Sequence, residues 1–130
     1  MDNCVFCKIV AGTIPCHKIA ENEDFLAFLD IKPFSLGHTM VIPKQHYRWT
    51  YDIPNFGMLW EFTKEVSQKI NSKLTPYFIS YLTMGNQVEH AHVHIIPRYQ
   101  NDSLMNEFGQ NLRLQLSNEQ LNEIESKIKT

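Results

Sequence analysis

No stretch of this 130-residue sequence approaches the roughly 18 consecutive apolar residues of a membrane span, so no transmembrane helix is expected. The opening Met1-Asp2-Asn3-Cys4 has no basic segment ahead of an apolar one, which argues against a secretory leader and makes the cytoplasm the expected compartment. Basic blocks are lacking as well, and the net charge is −2. Binding along a nucleic-acid backbone is therefore not expected, whereas one small anion such as a nucleotide needs only a local pocket. Cysteine is sparse. Cys4, Cys7 and Cys16 make an odd number in a chain that does not read as secreted, which argues against a disulfide framework and leaves metal binding or packing. Internal repeats, low-complexity tracts and linkers are absent, and one domain over residues 1–130 is expected.

What is present is the composition of a globule, 43% hydrophobic and 20% charged, on a chain long enough to bury one core. Val5 to Val10 reads as a short helix ended by Gly12 and Ile14-Pro15. Phe25 to Asp30 and Thr39 to Ile42 read as strands, the second opened by Gly37 and closed by Pro43. Phe56, Leu59, Val66, Ile70 and Leu74 recur at helical spacing, with Asp52 or Asn55 available as a cap and Pro76 closing the region. Tyr77 to Thr83 and Val88 to Ile96 read as two strands joined around Gly85-Asn86. Leu112, Leu114 and Leu116 alternate like a fifth strand. Ser117 and Gln120 form a capping box before a helix carrying Leu121, Ile124 and Ile128 on one face. Strands interleaved with two main helices predict an α+β fold with an antiparallel five-stranded sheet.

The chemistry is concentrated in His90-Ala91-His92-Val93-His94, which holds three of the six histidines. Alternate residues of a strand share a face about 6.6 Å apart, so the three imidazoles line up while Ala91, Val93 and Ile95 face the other way. A neutral imidazole is a nucleophile available at pH 7, and covalent capture splits one hard displacement into two easier ones. Phosphoryl transfer asks the protein mainly to position groups and neutralise charge, which a row of histidines does. Two other readings fit the same residues: a metal-dependent hydrolase with zinc on His90, His92 and His94, and the polar face of an edge strand. A nucleotide-binding module without catalysis is a further alternative.

His90 to Ile96 followed by Pro97-Arg98 resembles the signature of the histidine triad family, most closely its Hint-like branch. Val5 to Gly12 with Ile14-Pro15, Phe25 to Ile31, and Gly37 to Lys44 resemble the family's earlier segments in the same order. The resemblance implies the family's fold, a homodimer, and hydrolysis or transfer of nucleoside monophosphates from purine nucleotide derivatives of AMP or GMP. His92 matches the position that becomes nucleotidylated, His94 the one at the scissile phosphate or leaving group, His90 a supporting member and His38 a further active-site histidine. Phe6, Ile9, Phe28 and Ile31 match positions enclosing base and ribose, and Asp30 the acceptor of ribose hydroxyls. Bacterial-type members with a similar Cys pair bind a structural zinc, which here implies Cys4, Cys7, His46 and His90 as ligands and leaves Cys16 and His17 outside the set. No organic cofactor is implied.

The segment before the triad departs from the family. Thr83-Met84-Gly85-Asn86-Gln87 is shorter than usual, with Asn86 in place of Gln and Gln87 in place of Ser or Thr. Both amides donate to a phosphate but neither shuttles a proton as a hydroxyl does. Residues 100–130 lack the C-terminal signature of animal Hint proteins.

Overall fold

In a computed structural model that describes residues 3–100, 102 and 113–130, the chain forms five strands and three helices. The first helix, α1 (Val5–Ala11), is opened by Cys4, whose Sγ accepts from the Cys7 amide at 3.2 Å, and stopped by Gly12 at φ 83°. That left-handed conformation favours glycine and ends the helix where the sequence predicts.

The strands are β1 (Lys18–Glu21), β2 (Phe25–Leu29), β3 (Thr39–Pro43), β4 (Phe78–Leu82) and β5 (Val93–Arg98). They form one antiparallel sheet in the order β1-β2-β3-β5-β4. Five strands are present as expected, but one of them is different. β1 buries only Ile19 deeply, so it offers no periodicity to read. Leu114 and Leu116 lie instead in an extended segment outside the sheet, where the Leu114 amide donates to the Pro33 carbonyl at 2.6 Å and Leu116 packs against the core. Leu112 lies outside the described residues. β5 is shorter at its start than expected, because residues 88–92 approach the sheet without joining the ladder. At its far end it reaches Pro97, past the last β3 pair (Thr39 with Ile95), where among the described residues the strand has only β4 beside it and tolerates a proline.

Helix α2 (Phe56–Leu74) buries Leu59, Phe62, Val66 and Ile70 against one face of the sheet. Thr63 and Ser67 sit in the same buried stripe and satisfy their hydroxyls on the carbonyls four residues back. Phe56, which helical spacing places with the core, is exposed at the first turn. The Asn55 side chain makes no capping hydrogen bond, and Asp52 caps the preceding 3-10 turn at Trp49. Helix α3 (Asn118–Lys129) carries the reciprocal Ser117–Gln120 capping box and adds Leu121 and Ile128 to the same core.

The two faces of the sheet diverge in what they bury. Phe25, Ala27, Leu29, Val41, Val93 and Ile95 meet α2 and α3. On the opposite face Leu26, Phe28 and Ile42 pack under Phe6 of α1. β2 is therefore buried on both sides, which is why its sequence is a continuous apolar run.

Candidate active site

The face covered by α1 is the one that carries the histidines. His94 lies in β5 between Met40 of β3 and Leu82 of β4, and the chain leading into that strand supplies His92 and then His90. The His92 and His94 rings meet edge to face with centroids 5.0 Å apart. His38, just ahead of β3, is fully buried and lies 5.0 Å from His94. His90 belongs elsewhere. Its ring turns toward His46, with centroids 4.9 Å apart, and toward the two cysteines of α1. The expected row is thus two clusters, and Phe6 stands edge-on to His90 and His92 between them.

Hydrogen-bond partners dictate the tautomers. The Phe34 amide donates to His38 Nδ1 at 3.0 Å, so the His38 proton is on Nε2, which lies 2.9 Å from His94 Nδ1. His94 Nδ1 accepts there, which leaves its own proton on Nε2. His92 Nδ1 lies 2.8 Å from the His90 carbonyl and must donate to it, so His92 Nε2 carries a free lone pair. By the same logic His90 Nε2 donates to the Pro43 carbonyl at 2.8 Å, and its Nδ1 lone pair faces the cysteines. Burial keeps these rings neutral. It pushes His38 down to about 3, with the Arg113 charge adding to the effect. His94 is lowered to about 3 by burial and then by His38 and His92. Burial also lowers His92 and His90, against the opposing effect of the carbonyl each one donates to.

His92 and His94 line a cleft of about 490 Å³. Of the residues expected around a nucleotide, Phe6, Asp30, Ile31, Asn86 and Gln87 line it too. Phe28 lies buried behind Phe6 and Ile9 packs beside them, so these two support the wall from behind. His38 does not line the cleft itself and lies behind His94, Asp30 and Phe34, which do. Residues 84–88 line the cleft too, and Arg48 donates to the Gly85 carbonyl among them while stacking 3.7 Å over Trp49. Lining residues that the sequence did not single out include Lys32, Phe34, Met40, Leu82, Met84 and Arg113. Met84 lies inside the segment Thr83 to Gln87 and Leu82 directly before it, so both were within reach; Arg113 carries no local signal.

The second cluster places one ligand atom each of Cys4, Cys7, His46 and His90 within 4.8 Å of one another. Cys4 Sγ and Cys7 Sγ lie 3.2 and 3.4 Å from His90 Nδ1, and Cys7 Sγ lies 3.3 Å from His46 Nδ1. Two thiols and two imidazoles at such separations fit a tetrahedral zinc ion, and the His90 bond to Pro43 is the outer-shell contact that orients a ligating ring. Burial and the neighbouring Cys4 raise the Cys7 thiol to about 11. Among the described residues His90, His92 and His94 form no common ligand set; the other grouping is Asp30, His38 and His94, whose closest pair is the His38–His94 hydrogen bond. The reading that puts zinc on the three triad histidines therefore has no geometry behind it.

The antiparallel sheet thus carries a histidine pair in a cleft on one side of Phe6 and a Cys₂His₂ cluster on the other. Residues 11–101 match the HIT domain model. The chain is 38% identical to a HIT-like protein of Methanocaldococcus jannaschii over 133 aligned residues, 97% of this chain and 98% of that protein. It is 39% identical over 99 residues, 74% of each protein, to one from Schizosaccharomyces pombe named an adenosine 5′-monophosphoramidase. A zinc-bound histidine triad family protein from Mycobacterium smegmatis superposes with a TM-score of 0.80 at 28% identity, covering 98% of this chain and 91% of that one. The chain belongs to the HIT domain family.

Proposed function

We propose that this protein hydrolyses or transfers nucleoside monophosphates from substrates of the form NMP-X through a covalent intermediate on His92. The observation that carries the reading is the free lone pair on His92 Nε2, left in a cleft by the Nδ1 bond to the His90 carbonyl. Relatives named as nucleotide hydrolases support the class of reaction, and the S. pombe relative's name supports adenosine as the base and a phosphoramidate as one form of X.

In the proposed sequence His92 Nε2 attacks the α-phosphorus, a nitrogen–phosphorus bond forms and the bond from phosphorus to X breaks. X leaves with the bonding pair, stabilised by the His94 Nε2–H and by the Asn86 and Gln87 amides; an amine leaving group takes its proton from water. Water then attacks the same phosphorus, the nitrogen–phosphorus bond breaks, the monophosphate leaves and one proton passes to solvent. His38 orients His94 and does not touch substrate.

The test is mass spectrometry of protein quenched during turnover of adenosine 5′-phosphoramidate. An adduct of one adenylyl group on His92 is expected, and His92→Gly is expected to abolish turnover while keeping the fold. Turnover by that variant near the wild-type rate overturns the covalent mechanism. Affinity for AMP with no turnover of any NMP-X substrate returns the module reading.

The Cys₂His₂ cluster is proposed to hold a structural zinc ion, on the strength of its donor set and of the zinc-bound M. smegmatis relative. A homodimer is proposed on the exposed edge of the sheet at β4.

A further inference from the structure

Residues 84–89 lead from β4 toward the triad and belong to no helix or strand. Among the described residues they make one hydrogen bond, in which Arg48 Nη1 donates to the Gly85 carbonyl. Gly85 is also the one buried residue between Thr83 and Glu89. Its φ of 76° favours glycine, and a Cβ added there would lie 3.3 Å from the Trp49 ring and 3.7 Å from Arg48 Nη1. The loop is therefore seated on Arg48 and Trp49 by its backbone, at a point where a side chain is both strained and crowded.

The seat itself is fixed. The Arg48 guanidinium stacks 3.7 Å over Trp49, and the Trp49 amide donates to Asp52 Oδ2 at 3.2 Å. The Tyr47 carbonyl accepts from the Ala91 amide at 2.8 Å, within the triad. Residues 47–49 thus hold the chain at two points, Gly85 in the loop and Ala91 between His90 and His92. Asn86 and Gln87 follow Gly85 directly, and both line the cleft with His92 and His94. Their side chains are exposed and, among the described residues, make no hydrogen bond of their own. Where these amides point is set by the backbone that carries them. Arg48 does not line the cleft, so its hydrogen bond reaches a ligand only through the loop.

We propose that Arg48 is a positioning residue that, by holding the Gly85 carbonyl, fixes the Asn86 and Gln87 amides against the departing group of the substrate. The proposal rests on the reading of the cleft as the site of nucleotidyl transfer. Donors already in place stabilise charge as it develops, without reorganising at the moment of reaction. A loop released by Arg48 keeps both amides and loses their placement. The loss falls on kcat, because the contact matters most as the bond from phosphorus to X breaks.

The experiment is steady-state kinetics with adenosine 5′-phosphoramidate on the full-length chain. The wild type, Arg48→Ala and Arg48→Lys are compared with an Asn86→Ala, Gln87→Ala double variant and with that double variant carrying Arg48→Ala. Thermal melting establishes that each is folded, and Arg48→Lys carries the same cycle if Arg48→Ala does not fold. Arg48→Ala is expected to lower kcat about tenfold or more while changing KM by less than about twofold. Lysine keeps a donor and the charge but not the planar group that stacks on Trp49, and is expected to fall between. In the double-variant background Arg48→Ala is expected to cost little more, since the amides it places are gone. Equal losses of kcat in both backgrounds mean that Arg48 acts by another route, such as its charge, and overturn the proposal. So does a rise in KM at unchanged kcat, or an Arg48→Ala variant with the wild-type kcat. Failure of the underlying reading looks different: the wild type neither turns over the phosphoramidate nor forms an adduct on His92, and the proposal falls with it.

Discussion

At the scale of single residues, the chemistry depends on which nitrogen of each imidazole carries its proton, and backbone groups decide that. The His90 carbonyl takes the Nδ1 proton of His92, and the Phe34 amide sets His38 so that His94 presents an N–H to the cleft. In the proposed mechanism protonation of His92 Nε2 removes the nucleophile, so the acid limb of the pH profile tests that ring. Burial lowers its pKa; the bond to the His90 carbonyl and the Asp30 charge oppose this, and the Arg48 charge adds to the lowering. A lowered pKa means that the neutral form persists to more acidic pH than in a free imidazole. We therefore expect kcat/KM for adenosine 5′-phosphoramidate to stay level from pH 8 down to about 6.5 and to fall only below that value. His38 and His94, both near 3, stay neutral throughout this range and add no inflection. A pH profile of kcat/KM whose acid limb is centred at or above 6.5 contradicts the neutral, buried His92.

At the scale of elements, β4 is the strand with unfinished business. Among the described residues it pairs with β5 alone; Phe78 and Tyr81, on its opposite faces, are both exposed, and Trp60 of α2 packs edge-on to Tyr81. An edge strand with exposed apolar side chains invites pairing with another chain. A second copy at this edge gives a particle of about twice 15.2 kDa in light scattering, and Phe78→Glu is expected to shift it toward the single-chain mass. A wild type that scatters as one chain across micromolar concentrations rules the dimer out. The elements differ in how much of them the sequence discloses. β2 and α2 are legible because many buried residues repeat one signal, a continuous apolar run in the first and 3.6-residue spacing in the second. β1 is not, since Ile19 is its one deeply buried residue, and the alternation around Leu114 is misleading because the described part of that segment joins no ladder. The histidine run is legible from its clustering. Its division into two sites is not, because it depends on the His90 bond to Pro43, 47 residues away, and on the His38 bond to His94, 56 away. Arg113 reaches Asp30 across 83 residues, beyond any local pattern.

At the scale of the whole molecule, the Cys₂His₂ cluster is where distant segments are tied together. Cys4 caps α1 and Cys7 lies in it, His46 follows β3 and His90 precedes β5. α1 has seven residues, too few to be stable as an isolated helix, and it relies on Phe6 and on this cluster to stay on the sheet. An ion bound only by the folded state stabilises it by about 2.7 kcal/mol at a hundred times its dissociation constant. We therefore expect the purified protein to carry one zinc per chain by elemental analysis. Chelation is expected to lower its melting temperature by roughly 10 °C, given the usual shift per kcal/mol for a domain of this size. Turnover should decline gradually, since the His92 nucleophile depends on the His90 carbonyl and not on the ion itself. A Cys4→Ser, Cys7→Ser double variant should contain no zinc, melt earlier and still form the His92 adduct at low temperature. Immediate loss of turnover on chelation, restored by added zinc with the melting temperature unmoved, places the ion in the reaction and refutes its structural role.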